Sequence, residues 1–166
     1  MISACEVPPH SLLARYVRDG TYADCYVTRV GRSVSHSEYV EAFYTTALFK
    51  VERLILRWLA ARPSSDLDAK RLADAGAETF AAWKVESRAK DQVLLADFGG
   101  RTRSWLMVTP SEGGEGTRLF FGSAVVPRFR PGPGQGTLGW QFSSLLGFHK
   151  LYSRALLLAA QRRLMR

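Results

Sequence analysis

The last third of the sequence lacks acidic residues, because none follows Glu115. Basic and acidic side chains balance over residues 1–115, so the basic residues of 116–166 account for the whole net charge of +8. Such asymmetry can mark an anionic partner, or it can be a solvated helix face. We favour the second interpretation, since no stacking-aromatic RNA motif, zinc finger or helix-turn-helix pattern accompanies the charge. We therefore expect no nucleic-acid partner, and contact with an anionic membrane surface is a less favoured alternative.

Cysteine is scarce and long apolar runs are absent. Cys5 and Cys25 are the only cysteines, and two cysteines make neither a disulfide framework nor a metal-ligand pattern. We expect both thiols to be reduced in the cytoplasm, and we expect no metal and no other cofactor. No apolar run reaches the ~18 residues of a membrane span. Residues 1–20 also lack the basic start and apolar core of a signal peptide.

The length of 166 residues predicts a single domain over residues 1–166 with a sizeable core. Residues 1–21 are predicted to form an irregular N-terminal arm. Residues 23–30 are rich in Val, Thr and Tyr and favour a short strand. Proline and glycine dominate residues 127–137, which we predict to be an irregular connection to a final helix.

Two helices are predicted between the first strand and the rest of the sheet. Ser35 and Glu38 make a capping box, in which each side chain satisfies a free backbone N–H. The helix that they open should run to about Ala61. Its one-sided apolar stripe consists of Val40, Phe43, Tyr44, Ala47, Leu48, Val51, Leu54, Ile55 and Trp58. A shorter helix is predicted over about 66–75, with Gly76 as its stop.

The period of the apolar pattern then changes from 3.6 to 2, which indicates strands. We predict an antiparallel meander of about four strands, at residues 79–88, 92–98, 101–109 and 117–126. Gly99–Gly100 is typical of a two-residue hairpin turn, since glycine tolerates the positive φ that such turns require. This turn would place residue 96 opposite 103 and residue 97 opposite 102.

Residues 137–166 predict a long terminal helix. Winding from Phe148 gives one stripe that should pack on the sheet, made of Phe148, Leu151, Tyr152, Ala155, Leu156 and Ala159. We therefore expect Leu156→Ala to be costly. The same change at Leu157, on the other side of the helix, should cost far less.

The order of strand, two helices, antiparallel meander and long C-terminal helix predicts the α+β fold class. This order is similar to the helix-grip fold of the START-like superfamily, which includes birch-pollen-allergen-like proteins and polyketide cyclases. A closer resemblance, to an uncharacterised bacterial family of that superfamily, lies in residues 80–86, 92–106, 129–131, 139–140 and 147–152. Gly139 and Gly147 depart from the Tyr and Pro that this family tends to carry at the entry to its terminal helix.

The resemblance implies a cavity between the sheet and the terminal helix, which in relatives holds apolar or amphipathic small molecules. Helix-grip members usually have seven strands, whereas the pattern here indicates about five. A shortened or more open sheet is therefore an alternative. The resembling family has no assigned function, so the likeness bears on architecture more than on activity.

Seven residues are candidate ligand contacts: Trp83, Asp97, Phe98, Arg103, Trp105, His149 and Tyr152. The apolar pattern does not decide which face of the hairpin lines the cavity. One face would contribute Arg103, and the other Asp97 with Thr102 and Ser104, as the polar group that orients a ligand. The alternative is that the polar residues lie at an exposed hairpin tip and the aromatic residues are core.

The leading functional prediction is a non-catalytic binder of a small apolar or amphipathic molecule. The second is a cyclase- or hydratase-type enzyme in which Asp97 or His149 acts as acid or base. That chemistry needs two polar groups that converge in the cavity, so we assign no catalytic residue. The third is an interaction module whose basic terminal helix meets an anionic membrane surface or another protein.

Large apolar residues on the outer sides of the two long helices predict self-association. Phe49 and Leu56 stack on the first helix, and Leu157 and Leu164 stack on the last. Two such lines would merge into a patch that a two-fold homodimer buries. The alternative is a cover formed by the N-terminal arm, through Leu12, Leu13 and Tyr16.

Overall fold

The computed structural model describes residues 1–51, 64–126 and 140–166, and for residues 140–149 it describes the backbone alone. Seven strands form one antiparallel sheet, and helices pack on one of its faces, so the predicted α+β class is confirmed. The strands are β1 (Ser3–Ala4), β2 (Tyr22–Val30), β3 (Thr79–Phe80), β4 (Trp83–Ala89), β5 (Gln92–Asp97), β6 (Thr102–Pro110) and β7 (Thr117–Val125).

The sheet order β1-β2-β7-β6-β5-β4-β3 brings the first long strand next to the last. β2 pairs with β7 along its whole length, from Tyr22 opposite Val125 to Val30 opposite Thr117. β1 then adds to the outer edge of β2 opposite Tyr26 and Val27, and among the described residues no other strand pairs with that edge. The sheet is therefore open, and it has two strands more than the sequence pattern indicated.

The β5–β6 hairpin has the predicted register, with Ala96 opposite Arg103. The predicted strand 79–88 is instead divided into β3 and β4. Ala81 lies between them with a φ of 51°, in the left-handed region that non-glycine residues seldom adopt. This corner turns β3 back onto β4, where Phe80 pairs with Trp83.

The described residues contain five helices: α1 (Ala14–Arg18), α2 (His36–Tyr44), α3 (residues 47–51), α4 (Asp66–Ala73) and α5 (Trp140–Leu164). The predicted capping box opens α2, since Glu38 N–H donates to Ser35 Oγ at 3.1 Å and Ser35 N–H donates to Glu38 Oε2 at 2.8 Å. A second capping box, between Ser65 and Asp68, opens α4. Within the described ranges, no helix combines the length and apolar character needed to cross a membrane.

α2 ends at Tyr44, although the sequence predicts one unbroken helix to about Ala61. Thr45 and Thr46 each donate a side-chain hydrogen bond to a backbone carbonyl of the preceding turn, at 2.7 and 3.0 Å. Thr46 Oγ1 also accepts the N–H of Phe49 at 3.2 Å. Because these hydroxyls compete with helical backbone bonds, the chain stops and restarts as α3 in a new phase. The predicted end of the helix lies outside the described residues, as does the predicted connection at 127–137.

α5 is rotated away from its predicted orientation. Its buried side chains, in the part described, are Ser153, Leu156, Leu157, Ala160, Gln161 and Leu164. Leu151, predicted to face the sheet, is 69% exposed, whereas Leu157, predicted to face away, is fully buried. The predicted stripe is correct at Leu156 and wrong at Leu151. The side chain of Phe148, its first residue, lies outside the described residues. The spacing from Ser153 onward fits a helical stripe equally well.

The second face of the sheet is covered by the N-terminal arm, which contains β1 and α1 and is not irregular throughout. Leu13 of the arm is fully buried against the sheet. Gly122 permits this approach, since a Cβ there would lie 2.6 Å from Leu13 Cδ2 and 2.9 Å from Trp105 Cε3. Gln92 fixes the arm, because its Oε1 accepts the N–H of Leu12 at 2.9 Å and Nε1–H of Trp105 at 3.0 Å.

The predicted self-association surface is wrong. Phe49, Leu157 and Leu164 are buried in the core between the sheet and the helices of the same chain. Leu56 lies outside the described residues. The N-terminal arm, the predicted alternative cover, packs on the opposite face of the sheet instead. A homodimer through another surface stays a prediction.

Candidate functional site

A cavity of about 200 Å³ lies between the helix-bearing face of the sheet and the helices α2, α3 and α5. Strands β4, β6 and β7 contribute to it from one side. Its described lining consists of Phe43, Phe49, Trp83, Thr102, Arg103, Ser104, Phe121, Ser123, Ala124, Tyr152, Ser153 and Leu156. We call this space the central cavity.

Aromatic rings form one wall of the central cavity. The ring centroids of Phe43 and Phe121 lie 4.9 Å apart, and those of Phe43 and Phe49 lie 6.3 Å apart. Phe49 joins the wall because the chain restarts its helix after Thr46, which turns this side chain inward. Aromatic pairs at such separations stabilise one another beyond the area that they bury. The rings therefore support one another as a continuous wall.

Polar atoms in the cavity fall into two groups. Ser104 Oγ lies 3.3 Å from Tyr44 OH, and Ser123 Oγ donates to Asp24 Oδ1 at 2.5 Å. By contrast, Trp83 Nε1 and Ser153 Oγ are buried and have no hydrogen-bond partner among the described residues. A buried polar atom without a partner costs about 1–3 kcal/mol. Both residues line the central cavity, which makes a ligand there a candidate partner for the two atoms.

Trp83 and Tyr152 are predicted ligand contacts that do line the central cavity, and both are half-buried. The structure also decides which face of the hairpin meets the helices. Thr102 and Ser104 lie on that face, together with the buried core residue Leu106. Of the two alternatives left open by the sequence, the face with the hydroxyl groups lines the cavity.

Asp97 is the last residue of β5, on the same face of the hairpin as Thr102 and Ser104. Its carboxylate, however, closes the hairpin turn. Oδ1 accepts the N–H groups of Arg101 and Thr102 at 2.7 Å each, and Oδ2 accepts that of Gly99 at 3.1 Å. Asp97 is not among the described residues that line the cavity. Phe98 lies beside it in the turn and is 48% exposed.

Arg103 borders the central cavity, but its guanidinium group lies under the N-terminal arm. Arg103 Nε is 2.5 Å from Glu86 Oε2 and donates to Tyr16 OH at 2.7 Å. Tyr16 OH in turn donates to Glu86 Oε1 at 2.6 Å, and Arg15 pairs with the same carboxylate. We call these four residues the arm cluster. Trp105 is fully buried on the face of the sheet that the N-terminal arm covers, and not on the face of the central cavity.

His149 belongs to α5, and its side chain lies outside the described residues. The cyclase- or hydratase-type hypothesis relied on Asp97 or His149. The Asp97 carboxylate of that pair lies in the hairpin turn and not in the described lining of the central cavity, and nothing described here tests His149. Within the described residues, no group of three or more His, Cys, Asp or Glu side chains could hold a metal ion.

Sequence reasoning missed several residues that line the cavity. Ser153 is absent from the predicted stripe of α5, and Phe49 was predicted on the outer side of a continuous helix. The spacing of Ser153, Leu156, Leu157 and Ala160 would have given the correct phase. The pair Thr45–Thr46 was a signal for a helix break, because both hydroxyls can bond back to the preceding turn.

A second pocket, more polar and about 790 Å³ in volume, lies at the start of α2. His36 lines it together with Asp91 and Thr117. Burial lowers the pKa of His36 to about 4, although the Leu106 backbone and the Asp91 carboxylate act in the opposite direction. His36 is therefore neutral at physiological pH, and its Nε2 has no partner among the described residues.

Comparisons with known proteins add little to this picture. No family model matches the chain, and no curated protein matches it. The C-terminal domain of a Deinococcus radiodurans protein, solved by NMR in solution, is similar at 14% identity with a TM-score of 0.29. That likeness covers 84% of this chain and 92% of the domain. A score this low carries no argument about fold or function.

Proposed function

We propose that this protein binds one small, neutral, mainly apolar molecule in the central cavity. The observation that carries the proposal is a pair of buried polar atoms without partners among the described residues, Trp83 Nε1 and Ser153 Oγ, on two residues that line a cavity with an aromatic wall. Concave apolar sites with a few polar groups are the usual form of small-molecule sites. The resemblance to the START-like superfamily supports this function, because its members bind ligands between sheet and terminal helix.

The volume limits the size of the ligand. An apolar cavity of about 150 Å³ is known to accept benzene, so about 200 Å³ fits a single ring with a short substituent. Trp83 Nε1 can only donate a hydrogen bond, so the ligand should present an acceptor oxygen there. Arg103 is the one charged residue in the described lining, and Glu86 already neutralises its guanidinium group. A neutral carbonyl or ether oxygen is therefore favoured over a carboxylate.

Acetophenone and ethylbenzene are matched probes for this proposal. They have nearly the same shape, and only acetophenone carries an acceptor oxygen. We expect both to shift NMR signals of residues that line the cavity, such as Tyr152 and Leu156, and acetophenone to bind about three- to tenfold more tightly. Native mass spectrometry of protein purified from cells would identify a co-purified molecule of the same class.

Trp83→Phe removes the donor but keeps an aromatic ring in place. It should abolish the preference for acetophenone and leave the affinity for ethylbenzene nearly unchanged. Phe98→Leu, in the exposed turn, is the control and should alter neither. The proposal fails if neither probe shifts cavity signals, or if Trp83→Phe leaves the preference intact.

We further propose that the protein works in the cytoplasm. Reduced cysteines are the normal state there, and both thiols are free in this structure. Localisation of a fluorescent fusion in living cells would test this assignment.

A further inference from the structure

Cys5 and Cys25 are close in space, although 20 positions separate them in the sequence. Cys5 follows β1 and lies opposite Cys25 of β2, since Ala4 pairs with Tyr26 and Cys5 N–H donates to the Cys25 carbonyl at 3.0 Å. The two Sγ atoms are 3.1 Å apart. A disulfide needs about 2.05 Å between sulfurs and Cα atoms about 4.4–6.8 Å apart. Directly opposed residues of antiparallel strands meet the second condition, and a movement of about 1 Å meets the first.

The two thiols differ in access and chemistry. Cys5 is half-buried, whereas Cys25 is buried. The hydrogen bond between the two Sγ atoms lowers the pKa of Cys5 against the effect of its partial burial, with help from the charge of Arg118. The same hydrogen bond and burial raise the pKa of Cys25. A partly exposed thiol whose pKa is lowered, next to a buried partner thiol, is the arrangement of reactive and resolving cysteines.

A groove of about 540 Å³ runs along the first half of β2 and reaches Cys5. Its described lining consists of Ala4, Cys5, Tyr22, Ala23, Asp24, Cys25, Tyr26, Lys150, Leu151 and Arg154. The side chains of Lys150 and Arg154, both exposed, bring two positive charges from α5 to this groove. The one carboxylate in the described lining, Asp24, accepts a hydrogen bond from Ser123. The groove therefore favours an anionic molecule beside Cys5.

We propose that this groove is a thiol–disulfide exchange site, at which an anionic low-molecular-weight disulfide of the glutathione disulfide type oxidises Cys5 and Cys25 to an intramolecular disulfide. This site is separate from the central cavity and does not depend on its function.

The exchange proceeds in two steps. The Cys5 thiolate attacks one sulfur of the small disulfide, a mixed disulfide forms, and the first small thiolate leaves and takes up a proton from solvent. Cys25 then loses its proton and attacks Cys5 Sγ, and the second small thiolate leaves with a proton. One disulfide and two protein thiols thus become one protein disulfide and two small thiols. The new bond joins β1 to β2 and fixes the start of the N-terminal arm on the sheet.

The first test uses the reduced protein and glutathione disulfide at neutral pH, followed by intact-mass measurement. The wild type should lose two hydrogen atoms without a stable adduct. Cys25→Ser should stop at a glutathione adduct on Cys5, and Cys5→Ser should react at least about tenfold more slowly because Cys25 is buried. A stable adduct on the wild type, or equal reaction of Cys5→Ser, would overturn the proposal.

The second test separates charge recognition from simple thiol reactivity. Lys150→Gln combined with Arg154→Gln changes two exposed side chains and should leave the thermal unfolding midpoint unchanged. The double variant should react about three- to tenfold more slowly with glutathione disulfide, and at the wild-type rate with uncharged bis(2-hydroxyethyl) disulfide. Equal slowing with both reagents, or no slowing with either, would refute the role of the groove. Oxidation by hydrogen peroxide but not by glutathione disulfide would refute the exchange.

Discussion

Leu156 and Leu157 are neighbours on α5, and both are buried in the core between helix and sheet. We therefore expect Leu156→Ala and Leu157→Ala each to lower the free energy of unfolding by about 2–5 kcal/mol. Leu151→Ala, at an exposed position of the same helix, should change it by less than about 0.5 kcal/mol. Urea titrations of the three variants would measure this. A small effect at Leu157 together with a large one at Leu151 would restore the orientation that the sequence suggested.

Ala75 is strained in a way that a single substitution can relieve. It follows α4 with a φ of 57°, and Gly76 N–H bonds back to the Arg71 carbonyl at 2.8 Å, so Ala75 occupies the left-handed position that glycine usually fills. Ala75→Gly should raise the free energy of unfolding by about 0.5–1 kcal/mol. Ala73→Gly, inside the helix, should lower it by about 1 kcal/mol. Thermal unfolding would measure both variants. If both substitutions stabilise the protein, or both destabilise it, Ala75 is not strained in this way.

At the scale of the elements, the arm cluster holds α1 on the sheet. The Arg103 and Glu86 side chains are only 13% and 19% exposed, so removal of one leaves the other poorly solvated. Glu86→Ala should lower the free energy of unfolding by about 1.5–3 kcal/mol and speed the hydrogen exchange of α1. Lys50→Ala, which breaks the exposed pair with Asp66, should cost less than about 1 kcal/mol. Equal costs for the two variants would show that partial burial of the arm cluster adds nothing to its strength.

The break between α2 and α3 decides which side chains reach the central cavity. An uninterrupted helix would turn Phe49 away from the sheet, and the aromatic wall would lose one ring. The break depends on the local chemistry of Thr45 and Thr46, which was present in the sequence. The apolar stripe continues across both threonines, so periodicity alone predicts an unbroken helix there.

At the scale of the whole molecule, stability should depend on pH through His36. Its pKa is about 4 in the folded chain, against about 6.5 in an unfolded one. Between these values the unfolded state binds more protons, so the free energy of unfolding falls as pH falls from about 6.5 to about 4. The free energy of unfolding falls by about 2–3 kcal/mol over this window through His36, and His36 causes little further change at lower pH.

His36→Gln should remove this contribution to the pH dependence, and urea titrations at several pH values would measure it. His10→Gln, at an exposed position of the arm, is the control and should keep the wild-type slope. A His36→Gln variant whose stability still falls as steeply as that of the wild type between pH 6.5 and 4 would place the titrating group elsewhere.

The sequence by itself determined the features that depend on neighbouring residues. The capping box at Ser35, the strands of the meander and the register at Gly99–Gly100 follow from side chains that act within a few positions. The sequence also identified Trp83 and Tyr152, two aromatic residues that line the central cavity. It did not indicate that Ser153 lines the cavity, because the sequence does not determine which side of α5 packs on the sheet.

Only the tertiary structure decided which surfaces meet. The rotation of α5, the face of the sheet that carries the central cavity and the approach of Cys5 to Cys25 all depend on contacts between residues far apart in the chain. The apolar pattern of α5 is compatible with more than one buried side of the helix. The pattern of the β5–β6 hairpin is likewise compatible with either face being buried. The choice is made by the packing of α2, α3 and α5 on one side and the N-terminal arm on the other, since close packing excludes the alternatives.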